Sequence, residues 1–389
     1  WRFIMSEFQA SNFKKAQGGG APDIVGKVEF TSPYFFVPPS GTTAERPQSC
    51  APGTIRFNTD VGTIEVYRGD TIGWEYIQKR ESQYLGGGTG SNTGTGTRGV
   101  FALGRVGTPS VNNLDFLTIP TLGNAQDFGD RTVATRRLAA ASSGTRGLFA
   151  GGYTGSGDSD VIDFVTTSST GNAVDFGNLL AVARTIAGLS NSTRGIFAGN
   201  ESPTQLNVIQ YVTISQTGNA VDFGDTTRTG HQATTCSSST RGLLAGVFGS
   251  PGNDNRIDFI TIASTGDAQD FGDMQGAFNA RGGGSNSTRG VFAGGFNGSS
   301  NVNTIDFVTI ATTGNAIDFG DLINSTTCFC GSPTSPTRAV FGGGYSPNGV
   351  NIIEFVEIAT TGNGQNFGDL TNECAFGSAG SCSNGHGGL

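Results

Sequence analysis

The side chains best placed for chemistry are arginines and carboxylates that recur at fixed spacing. Arg98, Arg146, Arg194, Arg241, Arg289 and Arg338 follow one another at intervals of 48, 48, 47, 48 and 49 residues. Each is followed by a second polar position, Asp115, Asp163, Gln210, Asp258, Asp306 and Glu354, which precedes Asp127, Asp175, Asp222, Asp270, Asp318 and Asn366 by 12 residues. A guanidinium and a carboxylate repeated in this way make a partly buried ion-pair strut, within or between repeats. The functional counterpart is a ring of arginines binding acidic sugars on one face. The strut is the expected use, because a repeated fold needs the same side chain in every copy and a binding site seldom does. Gln210 is the exception to examine.

The remaining candidates point away from catalysis. Asp-Phe-Gly occurs five times, but without the Gly-rich phosphate loop of a kinase, so its Phe is read as packing, its Gly as turning and its Asp as capping. The two histidines, His231 and His386, and evenly spread acids do not gather the acid–base groups an enzyme needs at one mouth. Of the six cysteines, Cys50, Cys236, Cys328, Cys330, Cys374 and Cys382, five lie in segments rich in small residues, where Cys serves as a compact buried group. Cys328 and Cys330 have the wrong spacing for a zinc knuckle. Cys374 and Cys382 are a candidate disulfide by proximity in sequence, whereas a reducing compartment favours free thiols. No repeat concentrates the oxygen ligands of a calcium loop. The chain is expected to be no enzyme and to hold no metal or cofactor.

The elements that position these residues form six repeats. RGVFAGG reads as one strand ended by glycines, IDFVTIA as the next, and a Thr-Gly-Asn turn leads to the short strand AIDFGD. The fourth strand is the small-residue piece before each arginine, such as RRLAAASS (136–143) or ARTIAGLS (183–190), which suits strands crowding round an axis. A period near 48 with four strands per unit predicts an all-β fold, a six-bladed β-propeller over 84–389. Residues after Phe367–Asp369 align with the small-residue strand and stop where a further arginine strand would begin. The C-terminal strand is therefore expected to complete the first blade and close the ring.

Ahead of the repeats, residues 1–21 read as an arm without periodicity, and 22–83 as a small β module. Its segment GTIRFNTDVGTIEVYRGDTIGWEYI alternates as a β-hairpin followed by a third strand near Trp74, Tyr76 and Ile77. Phe35, Phe36, Trp74 and Tyr76 are too many aromatics for so short a module to bury, and are expected to be contact residues. The first residues lack the apolar core of a signal peptide, and Met5 is a candidate start. No apolar run is long enough to cross a bilayer as a helix, so no membrane insertion is expected. The net charge of −8 argues against a nucleic-acid partner. Residues 1–83 carry nine basic and nine acidic residues, so the whole −8 falls on the repeats, which contain no Lys.

The order of an Arg before a small-residue strand, a hydrophobic strand ending in Gly-Gly (Gly151-Gly152, Gly294-Gly295, Gly343-Gly344) and a strand carrying an aromatic resembles the kelch motif, with Phe where that motif has Tyr and Trp. The TRGVFAGG and DFVTIATTGNAIDFGD repeats are more closely similar to those of proteins encoded by phages of marine bacteria, cyanophages especially. PPSGTTAERP with the hairpin segment resembles a module in structural and fibre proteins of such phages. The resemblance implies a virion protein, a capsid decoration or tail or fibre component. Residues 1–83 would anchor it to other virion proteins, as a homo-oligomer, and the propeller would serve assembly and host attachment. Loops such as 200–208 and 248–256 are candidate readers of a surface glycan or protein. The alternative is an extracellular propeller that binds or modifies glycans.

Overall fold

The computed structural model describes residues 38–47, 50–60, 63–70, 73–76, 97–104, 109–249, 252–327, 329, 331–374 and 380–389. The arm 1–21, Phe35, Phe36, the Gly-rich stretch 84–96, Cys328 and Cys330 lie outside these residues, as does the side chain of Tyr76. The fold is all-β; among the described residues the sole helical element is a 3-10 turn at Thr43–Glu45. Contacts divide the chain into two units, Trp1–Ser82 and Gln83–Leu389.

In the first unit Ile55–Asn58 pairs antiparallel with Thr63–Tyr67, which pairs antiparallel with Trp74–Tyr76. Ser40–Gly41 adds a short parallel edge. Strand alternation sends successive side chains to opposite faces, and here the polar face is the buried one. Arg56 is 6% exposed and Asn58 and Glu65 are 0% exposed, whereas Ile55 is 50% and Ile64 38% exposed. The interior is held by charge: Glu65 accepts from Arg46 at 2.6 Å and from Asn58 at 3.1 Å, with Arg56 at 3.4 Å.

The second unit is a succession of six small antiparallel sheets, one per repeat. The second shows the plan: a small-residue strand (Ala139–Ser142), an arginine strand (Arg146–Ala150), an acid strand (Ser159–Thr166) and a Phe-Gly strand (Val174–Ala183), hydrogen-bonded in that order. In the first sheet the small-residue strand is Ser381–Ser383, paired with Arg98–Ala102 from the opposite end of the unit. The sixth sheet departs from the plan. It has three strands, and among the described residues the segment before Arg338 contributes no strand, only the isolated bridges Thr327↔Tyr345, Gly331↔Gly342 and Thr334↔Ala339. Pro333 lies between the last two bridges and has no N–H to give to a ladder.

Six apolar cores lie between consecutive sheets, and the sixth joins the last sheet to the first through Phe101, Leu117, Ile119, Val340, Phe355 and Phe367. The same succession governs the strand edges. Gly171 N–H donates to Phe128 O and Ala173 N–H to Asp130 O, so the Thr-Gly-Asn turn of one sheet clips the free edge of the preceding Phe-Gly strand. The pattern recurs at every junction, ending with Gly123 N–H to Phe367 O and Ala125 N–H to Asp369 O. At each junction two carbonyls of the Phe-Gly edge are thus paired within the chain. Within a sheet, each acid-strand aromatic meets the Phe of Asp-Phe-Gly edge-on, as Phe164 meets Phe176 at 5.9 Å.

Candidate functional site

The repeat arginines and the repeat acids go to different partners. Arg146 faces Thr166 across the strand pair. Phe164, two residues along, is on the same side of the sheet, and Asp163, three along, is on the other. Accordingly the Arg146 guanidinium covers the Phe164 ring at 4.6 Å and donates to Ile214 O of the next sheet at 3.0 Å. Arg194 covers Tyr211 and bonds Ile262 O, Arg241 covers Phe259 and bonds Ala311 O, and Arg289 covers Phe307 and bonds Ala359 O. Arg338 covers Phe355 and bonds Pro120 O of the first sheet; Arg98 covers Phe116 and reaches Thr167 O. The expected arginine–acid strut is therefore corrected: among the described residues no ion pair joins a repeat arginine to the repeat acid 16 or 17 residues later, because the two point to opposite faces; Arg338 pairs instead with Glu357, at 2.7 Å.

The acids instead tie down the chain leaving the preceding sheet. Asp115 accepts from Thr371 N–H and O–H at 2.8 Å, Asp163 from Thr132, Asp258 from Thr227, and Glu354 from Ile323 N–H and Asn324. Gln210 serves the same purpose, its carbonyl accepting from Leu180 N–H at 2.8 Å. This explains the exception in the third repeat: the position needs an acceptor, not a charge. Burial, partly opposed by the threonine hydrogen bonds, pushes the carboxyls of Asp115 and Asp258 above the usual carboxylate range. Asp258→Asn is thus expected to cost less than about 1 kcal/mol and Asp258→Ala about 1–3 kcal/mol, measured by urea unfolding.

The small-residue strands enclose a cavity of about 160 Å³ lined by residues such as Ala140, Gly188, Thr235, Gly283 and Pro333. A serine four residues before the arginine recurs as Ser142, Ser190, Ser237 and Ser285, with Thr334 in the sixth repeat. Their hydroxyls link neighbouring strands: Ser237 to Ser190 O, Ser285 to Ser237 O, Ser142 to Ser383 O and Ser383 to Thr334 O, at 2.6–2.8 Å. The regular spacing of these serines was a readable signal that the arginine pattern overshadowed.

The C-terminal residues lie against this cavity. His386 Nε2 is 3.0 Å from Ser142 O and 3.2 Å from Ser190 Oγ, Nδ1 accepts from Gly388 N–H, and Gly387 N–H donates to Ser285 O. Burial lowers the His386 pKa to about 4. The unfolded chain then takes up this proton near pH 6.5 while the folded chain does not. Between those values lowering the pH favours the unfolded state, by about 1.4 kcal/mol per unit from this one group. Stability measured from pH 7 to 4 should fall less steeply in His386→Gln.

A second polar cluster breaks the repeat. Arg137 and Arg184 both pair with Glu201, at 2.8 and 3.4 Å, and Thr185 O–H donates to the same carboxylate. Burial opposes ionisation of Glu201, but the Thr185 hydrogen bond and the two arginines together hold its carboxyl below the usual range. His231, only 8% exposed, stacks edge-on against Phe248 with a buried, unpartnered Nδ1; burial, aided by Arg137 and Arg184 against Glu201, lowers its pKa. Arg137, Thr185, Gln232 and Ala280, each nine residues before a repeat arginine, have φ of 52–60°. That strained geometry lets Thr185 N–H reach Arg137 O and Gln232 N–H reach Thr185 O. The cluster fastens the loop at 200–208 and gathers no nucleophile beside a base.

Among the expected anchor residues, Trp74 is half-buried, 5.4 Å from the Tyr67 ring and beneath Arg56; Phe35, Phe36 and the Tyr76 side chain fall outside the described residues. Cys374 is disulfide-bonded, while Cys382 is a free buried thiol, so those two are not partners, and the expectation of free thiols fails at Cys374. The partner of Cys374 lies outside the described residues. Among the described residues no cluster of His, Cys, Asp or Glu is arranged to hold a metal, and no helix is long and apolar enough to cross a membrane. Neither a protein-family model nor a curated protein sequence matches the chain.

Proposed function

We propose that the six sheets close into a kelch-like β-propeller and that the protein is a bacteriophage virion structural component, a capsid decoration or tail or fibre protein. Residues 1–83 hold it to other virion proteins, and the propeller faces outward for assembly and host attachment. The cyclic run of six cores and six edge clips supports the propeller reading. The sequence resemblance supports the virion setting.

The observation that carries the anchor is the inverted hairpin. Ile55 and Ile64 stand exposed, with Phe57 and Val66 half-buried on the same face, while the ionic network of Glu65 occupies the other. An apolar face kept outward on a small module suits a protein contact. Paired Ile55→Asp and Ile64→Asp changes should block incorporation into particles and leave the melting of the repeat unit unchanged. Normal incorporation of that variant, or particle density in which the repeats alone make the assembly contacts, would overturn the anchor. A binding reading for the propeller, with a surface glycan as ligand, is favoured by the cluster of Arg137, Arg184, Glu201 and His231 that holds the loop at 200–208.

A further inference from the structure

Two of the buried repeat acids carry a guanidinium beside them, and the two arginines come from unrelated positions. Arg131, four residues past Asp127, reaches Asp163 at 3.1 Å. Arg281, eight residues before Arg289, reaches Asp306 at 2.6 Å. In both pairs the side chains are at most 1% exposed. Arg281 also donates to Phe292 O at 2.8 Å and Thr304 O at 2.7 Å. The space beside the acid between sheets thus accepts a guanidinium regardless of where its stem is attached.

One repeat further on, 48 or 49 residues later, the counterparts of Asp306, Phe292, Thr304 and Gly294 are Glu354, Phe341, Ile352 and Gly343. All four line a cavity of about 100 Å³. The position equivalent to Arg131 is Leu322, and the one eight residues before Arg338 is Cys330, outside the described residues, so neither supplies a cation. Glu354 is 5% exposed, and the described donors to it are Ile323 N–H and the Asn324 N–H and side-chain amide, all uncharged. Phe329 and Phe341, whose rings lie 5.8 Å apart, add π faces to the wall. Asn324, Ser346 and Val350, also in the lining, are only partly buried and give the cavity a side towards solvent.

We infer that this cavity is a binding site for a guanidinium group, which would pair with Glu354 as Arg281 pairs with Asp306. A buried carboxylate gains from a planar cation that can also donate to neighbouring carbonyls. The inference goes beyond the virion reading and does not depend on it. The guanidinium belongs either to a free small molecule or to an arginine side chain of another chain.

The test is calorimetry or saturation-transfer NMR on the full chain with methylguanidinium chloride, against urea and sodium chloride as controls. Saturable binding at one site is expected, weakened at least about tenfold in Glu354→Gln. Val350→Trp, which fills the cavity and keeps the acid, should abolish it. If either variant fails to fold, Arg281→Ala supplies a second arm: it opens the equivalent space beside Asp306, and methylguanidinium should bind there too and raise the melting temperature of the variant more than that of the parent. A Gly-Arg-Gly peptide binding as well as methylguanidinium assigns the group to an arginine side chain; binding of methylguanidinium alone assigns it to a small molecule. Absence of saturable binding to the parent chain, or undiminished binding in Glu354→Gln and Val350→Trp, overturns the inference.

Discussion

Removing residues 380–389 should abolish the cooperative unfolding of the repeat unit, while removing only 386–389 should leave a folded protein that melts lower. The two truncations differ by one strand. Ser381–Ser383 pairs with Arg98–Ala102, and Cys382 packs into the core shared by the first and second sheets with Val100, Ala140 and Phe149. Without it, the arginine strand of the first sheet loses one of its two neighbours, and two sheets lose part of the core between them. In a fold built of near-identical neighbours, stability is a sum of interfaces, so damage to two at once exceeds what a single substitution does, above about 5 kcal/mol. The shorter truncation loses the His386 and Gly387 contacts with Ser142, Ser190 and Ser285, a loss of about 1–3 kcal/mol. Thermal melts followed by circular dichroism separate the cases. Equal, modest losses in both would show that the last strand is dispensable.

Arg281→Met should be the most damaging of the substitutions, at about 3–5 kcal/mol, because it strands the Asp306 carboxylate in the interior. It also removes the donor to Phe292 O and Thr304 O. Burial pushes the Arg281 pKa down, and the Asp306 charge only partly offsets this, so the guanidinium is in its place at a desolvation cost that its partner must repay. The double variant Arg281→Met with Asp306→Leu should recover most of the loss, since an apolar pair of similar volume is often as stable as a buried ion pair. Urea unfolding of the two single variants and the double gives the coupling directly. Additive losses would mean that Asp306 does not depend on Arg281.

What could be read in the sequence was whatever repeats. The period, the antiparallel order of strands and the Thr-Gly-Asn turns followed from residues at constant offsets. Partner choice did not follow, because it depends on face parity. Arg146 and Asp163 look like a pair by regularity, yet they sit an odd number of positions apart once the strands are registered. Arg131 and Arg281 were invisible as equivalents, since they occupy one kind of space from two different places in the repeat. In the N-terminal unit the alternation of Ile55 and Phe57 with Arg56 and Asn58 was plain, but which side faces inward depends on Arg46 and Glu65 meeting across the sheet. The gap in the sixth sheet was legible in Pro333, a residue with no N–H to give to a ladder.

The pairing of Ser381–Ser383 with Arg98–Ala102 also decides how the repeat unit responds to force. Gly99 faces Ser383 and Phe101 faces Ser381, so the start of one strand and the end of the other lie at the same end of the pair. Pulling the two chain ends apart would peel this pair open one hydrogen bond at a time, the weakest way to load antiparallel strands. Beyond Ser383, however, His386 and Gly387 are bonded to Ser142, Ser190 and Ser285, so a pull from that side must break these contacts first. Tension applied at Thr97 is passed to Ile119, whose N–H bonds Thr97 O. From there it reaches the Arg338 guanidinium, which bonds Ile119 O and Pro120 O. The pull is thus shared with the last sheet as shear, and the seam that joins the two ends of the repeats is spared the peeling direction.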